Sequence, residues 1–234
     1  MDSKTITREQ LCKLFDHTNL KVFADEQSFV KLCGEAAENN FAMVAINSGP
    51  VALCKSLLKG TDVHVGSAVS YPTGQTTLEV KMFEAEDAIQ NGADEIDYII
   101  NIGELKNGNL GYIRQEMESI VDICHKHEVI SKVIFENCFL TREEIIVLAR
   151  MAKAVKPDFI KTSTGTGPYG ARLEDVRLMK ETVGDEVKVK AAGGIRTWET
   201  CKLFIDAGVS RIGTSSSLEI LKEFDEERTG KGSV

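Results

Sequence analysis

Short apolar or β-branched runs alternate with longer amphipathic ones along almost the whole chain, and the apolar period switches between two and about 3.6 residues. The short runs predict strands at Leu14 to Thr18, Phe41 to Asn47, Val63 to Val69, Glu95 to Ile100, Ser131 to Glu136, Asp158 to Thr162, Glu186 to Ala191 and Ser210 to Gly213. Helical stripes lie between them at Asp25 to Glu38, Leu78 to Asn91, Ile113 to His127, Arg142 to Val155, Leu173 to Val183 and Trp198 to Ala207, after a leading helix near Thr7 to Lys13. Asn91-Gly92 and Ala207-Gly208 sit where helices should stop, each followed within a few residues by a new strand. Strands separated by helices, with no break in composition, predict an α/β fold: one closed (β/α)8 TIM barrel over residues 1–234 with an additional N-terminal helix. An open doubly wound sheet is the alternative. The charged tail from about residue 225, ending Gly230-Lys231-Gly232-Ser233-Val234, is expected to fray.

Composition narrows the class without changing that outline. Hydrophobic residues make up 42% and charged residues 27% of the 234, as in ordinary globular domains. A formal charge of −8 argues against a nucleic-acid partner bound through a broad basic field, while leaving room for a local basic pocket that takes a small anion. Cys12, Cys33, Cys54, Cys124, Cys138 and Cys201 form no C-x-x-C pair, so they read as small buried hydrophobes in a reducing compartment. The start, Met1-Asp2-Ser3-Lys4-Thr5, lacks the apolar core of a signal peptide, and no apolar run approaches membrane-spanning length. A cytoplasmic location without a membrane partner is expected.

Two strands end in lysine. Phe159-Ile160-Lys161 breaks into Thr162-Ser163-Thr164-Gly165, and Val187-Lys188-Val189-Lys190 breaks into Ala191-Ala192-Gly193-Gly194. At the carboxyl end of a parallel barrel strand an ammonium points into the mouth, where two at matching positions depress the pKa of at least one. Such an amine is a nucleophile near neutral pH and predicts Schiff-base chemistry. Period-two alternation sends Asp16, Asp97 and Lys132 to the same interior as Lys161 and Lys190. Taken singly each reads equally well as a strand-end surface charge; together they predict a proton-transferring site. Lys188 shares the face of Lys190 one layer deeper, where it would need a carboxylate partner or a local bulge.

Gly193-Gly194 after the seventh strand, and Gly213-Thr214-Ser215-Ser216-Ser217 after the eighth, have the form of a phosphate cradle at a helix amino terminus. A serine N-cap explains one hydroxyl but not the upstream glycine pair. Three other motifs carry less. Gly165-Thr166-Gly167-Pro168-Tyr169-Gly170 spells a dinucleotide fingerprint, but Pro168 removes an N–H and no acidic residue closes the next strand. Cys124-His125-Lys126-His127 places its ligand types on diverging sides of a helix, and Asp16-His17-Thr18 has no serine elbow to complete a triad.

Asp16-His17-Thr18-Asn19-Leu20-Lys21, Gly92 to Asp97, Lys132 to Glu136, Phe159 to Gly165, Val189 to Thr197 and Gly213 to Ser216 together resemble the deoxyribose-phosphate aldolases, in order and over nearly the whole chain. The resemblance implies a class I aldolase interconverting 2-deoxy-D-ribose 5-phosphate with acetaldehyde and D-glyceraldehyde 3-phosphate, with no metal or other cofactor. By that resemblance Lys161 is the Schiff-base lysine, Lys190 its perturbing neighbour and Asp97 the acid/base. Asp16 and Lys132 belong to the inner polar network; Gly165, Gly193, Gly194, Gly213, Ser215 and Ser216 hold the substrate phosphate. Many members carry cysteine where this chain has Ala45, and some end in a tyrosine that assists proton transfer where this chain ends in Val234. Expected partners are phosphosugar and aldehyde substrates and further copies of the chain, as a homodimer or higher homo-oligomer. Another phosphosugar lyase or isomerase, or a non-catalytic phosphometabolite-binding barrel, are the rival readings.

Overall fold

The strands of the wall carry mostly apolar side chains on the face that helices cover, and send most of their charged ones, with Met43 and Phe159, to the other. In the computed structural model, which describes residues 2–230, eight parallel strands pair in chain order and close into a barrel. They are β1 (Phe15–Thr18), β2 (Met43–Asn47), β3 (His64–Val69), β4 (Glu95–Ile99), β5 (Ile130–Ile134), β6 (Phe159–Lys161), β7 (Lys188–Ala192) and β8 (Arg211–Thr214). The helices are α1 (Arg8–Cys12), α2 (Glu26–Asn39), α3 (Val51–Leu57), α4 (Leu78–Gln90), α5 (Ile102–Lys106), α6 (Leu110–Lys126), α7 (Arg142–Val155), α8 (Leu173–Val183), α9 (Trp198–Asp206) and α10 (Ser217–Thr229). The fold is thus the expected (β/α)8 barrel with an extra N-terminal helix, and the open sheet is excluded. Every predicted strand is present. The short helices α3 and α5 and the length of α10 were not foreseen.

The main apolar core lies between wall and helices, where Val44, Ile46, Val65, Ile96, Tyr98, Val133, Ile160, Val189 and Ile212 are wholly buried. The opposite parity faces inward, and there the barrel is lopsided. Long charged side chains come from β4 to β8, while β2 and β3 contribute Ala45, Gly66 and Ala68. Small residues on one side leave the volume that lysine and arginine stems fill from the other. Gly66 has no slack, because a Cβ there would lie 2.2 Å from Met43 Sδ.

Lys188 corrects an expectation. It shares the inward parity of Lys190, but it begins β7 and its side chain is exposed at the amino-terminal end of the barrel. Its ammonium lies 5.3 Å from the Phe159 ring centroid, so it needs neither a buried carboxylate nor a bulge. The tail also differs from expectation, since α10 continues to Thr229. Phe224 packs edge-on against Trp198 at 5.0 Å, and Arg228 donates to the carbonyls of Lys4 (2.7 Å) and Ser3 (2.9 Å). Val234 and its three preceding residues lie outside the described residues.

Candidate active site

Strand pairing sets the charged residues near one another. Lys161 pairs with Lys190, Asp97 with Lys132, and Asp16 with Gly213, each neighbour one strand further round the wall. All five expected catalytic residues are buried, and they meet. Asp97 Oδ2 accepts from Lys161 Nζ at 2.8 Å and from Lys190 Nζ at 2.6 Å, while Oδ1 accepts from Lys132 Nζ at 2.7 Å. Lys190 also contacts Asp16 Oδ2 at 2.5 Å. Two further residues belong to the network and were missed as site residues. Arg211 binds Asp16 Oδ1 at 2.5 Å and Glu95 Oε1 at 3.0 Å, and the second oxygen of Glu95 pairs with Lys132. Period two from Gly213 and from Asp97 already pointed Arg211 and Glu95 inward.

Protonation follows from this wiring. Burial is the largest influence on Lys161 and lowers its pKa to about 8; Asp97 opposes that, and Lys190 and Lys132 reinforce it. Lys190 therefore assists, with burial the larger cause. The neutral amine is far more populated near neutral pH than in an ordinary lysine. Lys132 behaves oppositely. Burial disfavours its charge, but Asp97, Glu95 and Asp16 overcome that and hold the ammonium above the usual lysine range. Asp97 loses stabilisation to burial too, yet Lys132, Lys161 and Lys190 keep it well below the usual carboxylate range.

Above this layer, at the carboxyl ends of the strands, lies a cavity of about 180 Å³. Lys161 reaches it, whereas Asp97, Lys190, Lys132 and Asp16 lie beneath. Gly165, Gly193, Gly194, Gly213 and Ser215 line it, together with Thr18, Thr164 and Arg196. Arg196 adds a second basic residue, beside Lys161, to that lining. Gly193 has φ +87, and a Cβ there would sit 2.9 Å from Gly170 Cα. The reciprocal clash is worse, with a Cβ on Gly170 only 2.1 Å from the Gly193 carbonyl oxygen. Gly165 and Gly170 of the dinucleotide-like pattern are thereby explained by a backbone-to-backbone contact with Gly193, while Gly167 makes room for the Cys138 thiol, 2.4 Å from where its Cβ would lie.

Ser216 lies just outside the lining, where its N–H donates to Thr214 Oγ1 at 2.9 Å. It precedes α10 without capping it by a side-chain hydrogen bond, so the ordinary N-cap explanation fails. Ser217 is the partner of His17, whose ring faces outward and bridges Ser217 Oγ (3.0 Å) and Glu35 Oε2 (2.9 Å). His17 therefore pins helices to the wall and has no place in a triad. Among the described residues no group of three or more His, Cys, Asp or Glu side chains is arranged to hold a metal ion.

Comparison with known proteins gives one consistent result. The family described as DeoC/LacD family aldolase matches residues 11–218. Deoxyribose-phosphate aldolase of Lactobacillus acidophilus is 54% identical over 92% of this chain and 90% of its own length. The enzyme of the same name from Thermococcus gammatolerans is 48% identical over 91% of this chain and 95% of its own. Among solved structures, the tetrameric deoxyribose phosphate aldolase of Aeropyrum pernix superposes with a TM-score of 0.87 at 27% identity, covering 94% of this chain and 93% of that one. Resemblance on this scale, spanning the strands that carry Lys132, Lys161 and Lys190, means that the chain belongs to the DeoC/LacD aldolase family.

Proposed function

We propose that the protein reversibly cleaves 2-deoxy-D-ribose 5-phosphate to acetaldehyde and D-glyceraldehyde 3-phosphate through a Schiff base on Lys161. The observation that carries this reading is a buried lysine with a pKa of about 8 that lines a cavity and shares one carboxylate oxygen with a second lysine. Neutral Lys161 attacks the sugar aldehyde carbon, and the carbinolamine loses water to give an iminium. Deprotonation of the C3 hydroxyl, through water to Asp97 with Lys190, releases D-glyceraldehyde 3-phosphate as the C2–C3 electron pair moves into the enamine. Reprotonation at C2 and hydrolysis return acetaldehyde and the free amine. The glycine loops, the uncapped start of α10 and Arg196 would hold the phosphate and fix the sugar's orientation.

The same reading extends to surroundings. The protein acts in the cytoplasm, in breakdown of deoxyribonucleotide sugars, as a homo-oligomer. Six free cysteines, five of them buried, and the absence among the described residues of any helix long and apolar enough to cross a membrane support the first point. The tetrameric relative supports the last. A coupled assay of D-glyceraldehyde 3-phosphate release tests the substrate assignment. Turnover of 2-deoxy-D-ribose 5-phosphate is expected; inertness towards it alongside turnover of another phosphosugar would refute the assignment.

A further inference from the structure

The polar layer does not end beneath the cavity. It continues towards the amino-terminal end of the barrel through Glu95 and Arg211, neither of which reaches the substrate cavity. Counted whole, the network holds four cations, Lys132, Lys161, Lys190 and Arg211, against three carboxylates, Asp16, Glu95 and Asp97. Fully ionised, it carries one positive charge in excess. In a buried site such an imbalance is expensive, and release of one proton removes it.

Geometry selects which proton leaves. Lys132 touches Asp97 and Glu95 and lies 4.0 Å from Asp16, Lys190 bridges Asp97 and Asp16, and Arg211 bridges Asp16 and Glu95. Lys161 has a single carboxylate oxygen, and it shares that one with Lys190. Resting on the Schiff-base role of Lys161, we infer that Arg211 and Glu95 are positioning residues of opposite sign. Arg211 supplies the surplus charge that drives Lys161 to the neutral amine, and Glu95 restrains it.

Three other titratable groups lie near the network. His64 Nδ1 on β3 lies 2.8 Å from Glu95 Oε1 and is nearly half exposed, and Lys188 on β7 is exposed over Phe159. Glu136, after β5, accepts from the Thr164 N–H at 3.1 Å outside the ion-paired group. The fork of Arg211 gives each carboxylate its own nitrogen, Nη1 to Asp16 on β1 and Nη2 to Glu95 on β4.

The test is the pH dependence of reductive trapping of acetaldehyde by cyanoborohydride, read as N-ethylation of the Lys161 peptide by mass spectrometry. Arg211→Met leaves the charges balanced and should move the midpoint up by about one pH unit. Glu95→Gln leaves two charges in excess and should move it down by a similar amount. The double variant restores the original surplus of one and should return the midpoint to that of the wild type, as should Arg211→Lys in part. A merely structural role would displace both single variants in the same direction or not at all, with the double variant worst, and that result overturns the inference. If Arg211→Met does not fold, Glu95→Gln and the double variant decide, since together they still separate compensation from accumulated damage. Failure of wild-type Lys161 to be ethylated is a different outcome, which removes the Schiff-base role itself.

Discussion

Lys81 and Lys161 are both buried lysines beside a carboxylate, and burial lowers the pKa of each, but the chemistry open to them differs. Lys81, on α4, uses all three N–H donors: to Glu116 Oε1 at 2.6 Å, Ile99 O at 2.5 Å and Gly74 O at 3.2 Å. Glu116 is saturated as well, since its second oxygen accepts the Asn101 N–H at 3.0 Å. Loss of a proton there would strand acceptors with no compensating partner. The pair works as a staple, tying the loop after β3 to the end of β4, the strand that carries Asp97. Lys161 has one protein acceptor and an open cavity on its other side. A shifted pKa is common to both sites, and spare valence facing a cavity separates the nucleophile from the staple.

The comparison can be broken at either lysine. The largest effect is expected from Lys161→Leu, which should lower kcat/KM for sugar-phosphate cleavage by more than about 10⁴-fold, or about 5 kcal/mol of transition-state stabilisation, with the fold intact. Lys190→Met should follow with a loss of about 10² to 10⁴ in kcat. Its pH profile has a sign. The amine must be neutral to attack, so kcat/KM rises with pH towards about 8 in the wild type. Removing a neighbouring cation that favours the neutral form should push that rise to higher pH. Lys81→Met inverts the pattern: about 3–5 kcal/mol of stability lost in denaturant unfolding, with trapping of acetaldehyde per folded molecule retained. Lys81→Met combined with Glu116→Leu should recover much of that stability. The smallest effect is expected from Ser216→Ala, below about 0.5 kcal/mol, because Ser216 makes no cap bond; Thr141→Ala, which breaks a capping box on α7, should cost about 1 kcal/mol.

Much of this was legible in the sequence because the barrel writes its wall in period two. Lys161, Lys190, Asp97, Asp16 and Lys132 could be sent to one interior from strand parity alone, and in the closed barrel their charged ends meet around Asp97 and Asp16. What local pattern could not carry was long-range. Residues 224–229 read as a fraying tail because the contacts that hold them, to Trp198 and to the carbonyls of Ser3 and Lys4, lie far away in the chain. The helix α3 follows Pro50, which gives it no side-chain cap, and α5 is only five residues long, so neither announces itself. Lys188 looked buried by parity because parity gives the face but not the depth along the axis. The weight of burial in lowering the Lys161 pKa was not legible either, since that burial exists only once the barrel has closed.

The most direct measurement is borohydride reduction of the wild-type protein in the presence of acetaldehyde at pH 7, followed by mapping of the modified peptides. An N-ethyl group confined to Lys161, with Lys81 and Lys190 unmodified, is the expected result. Ethylation of Lys190 in its place, or sugar-phosphate cleavage with no lysine modified, would contradict the assignment of Lys161 as the one buried amine free to bond to a carbonyl carbon.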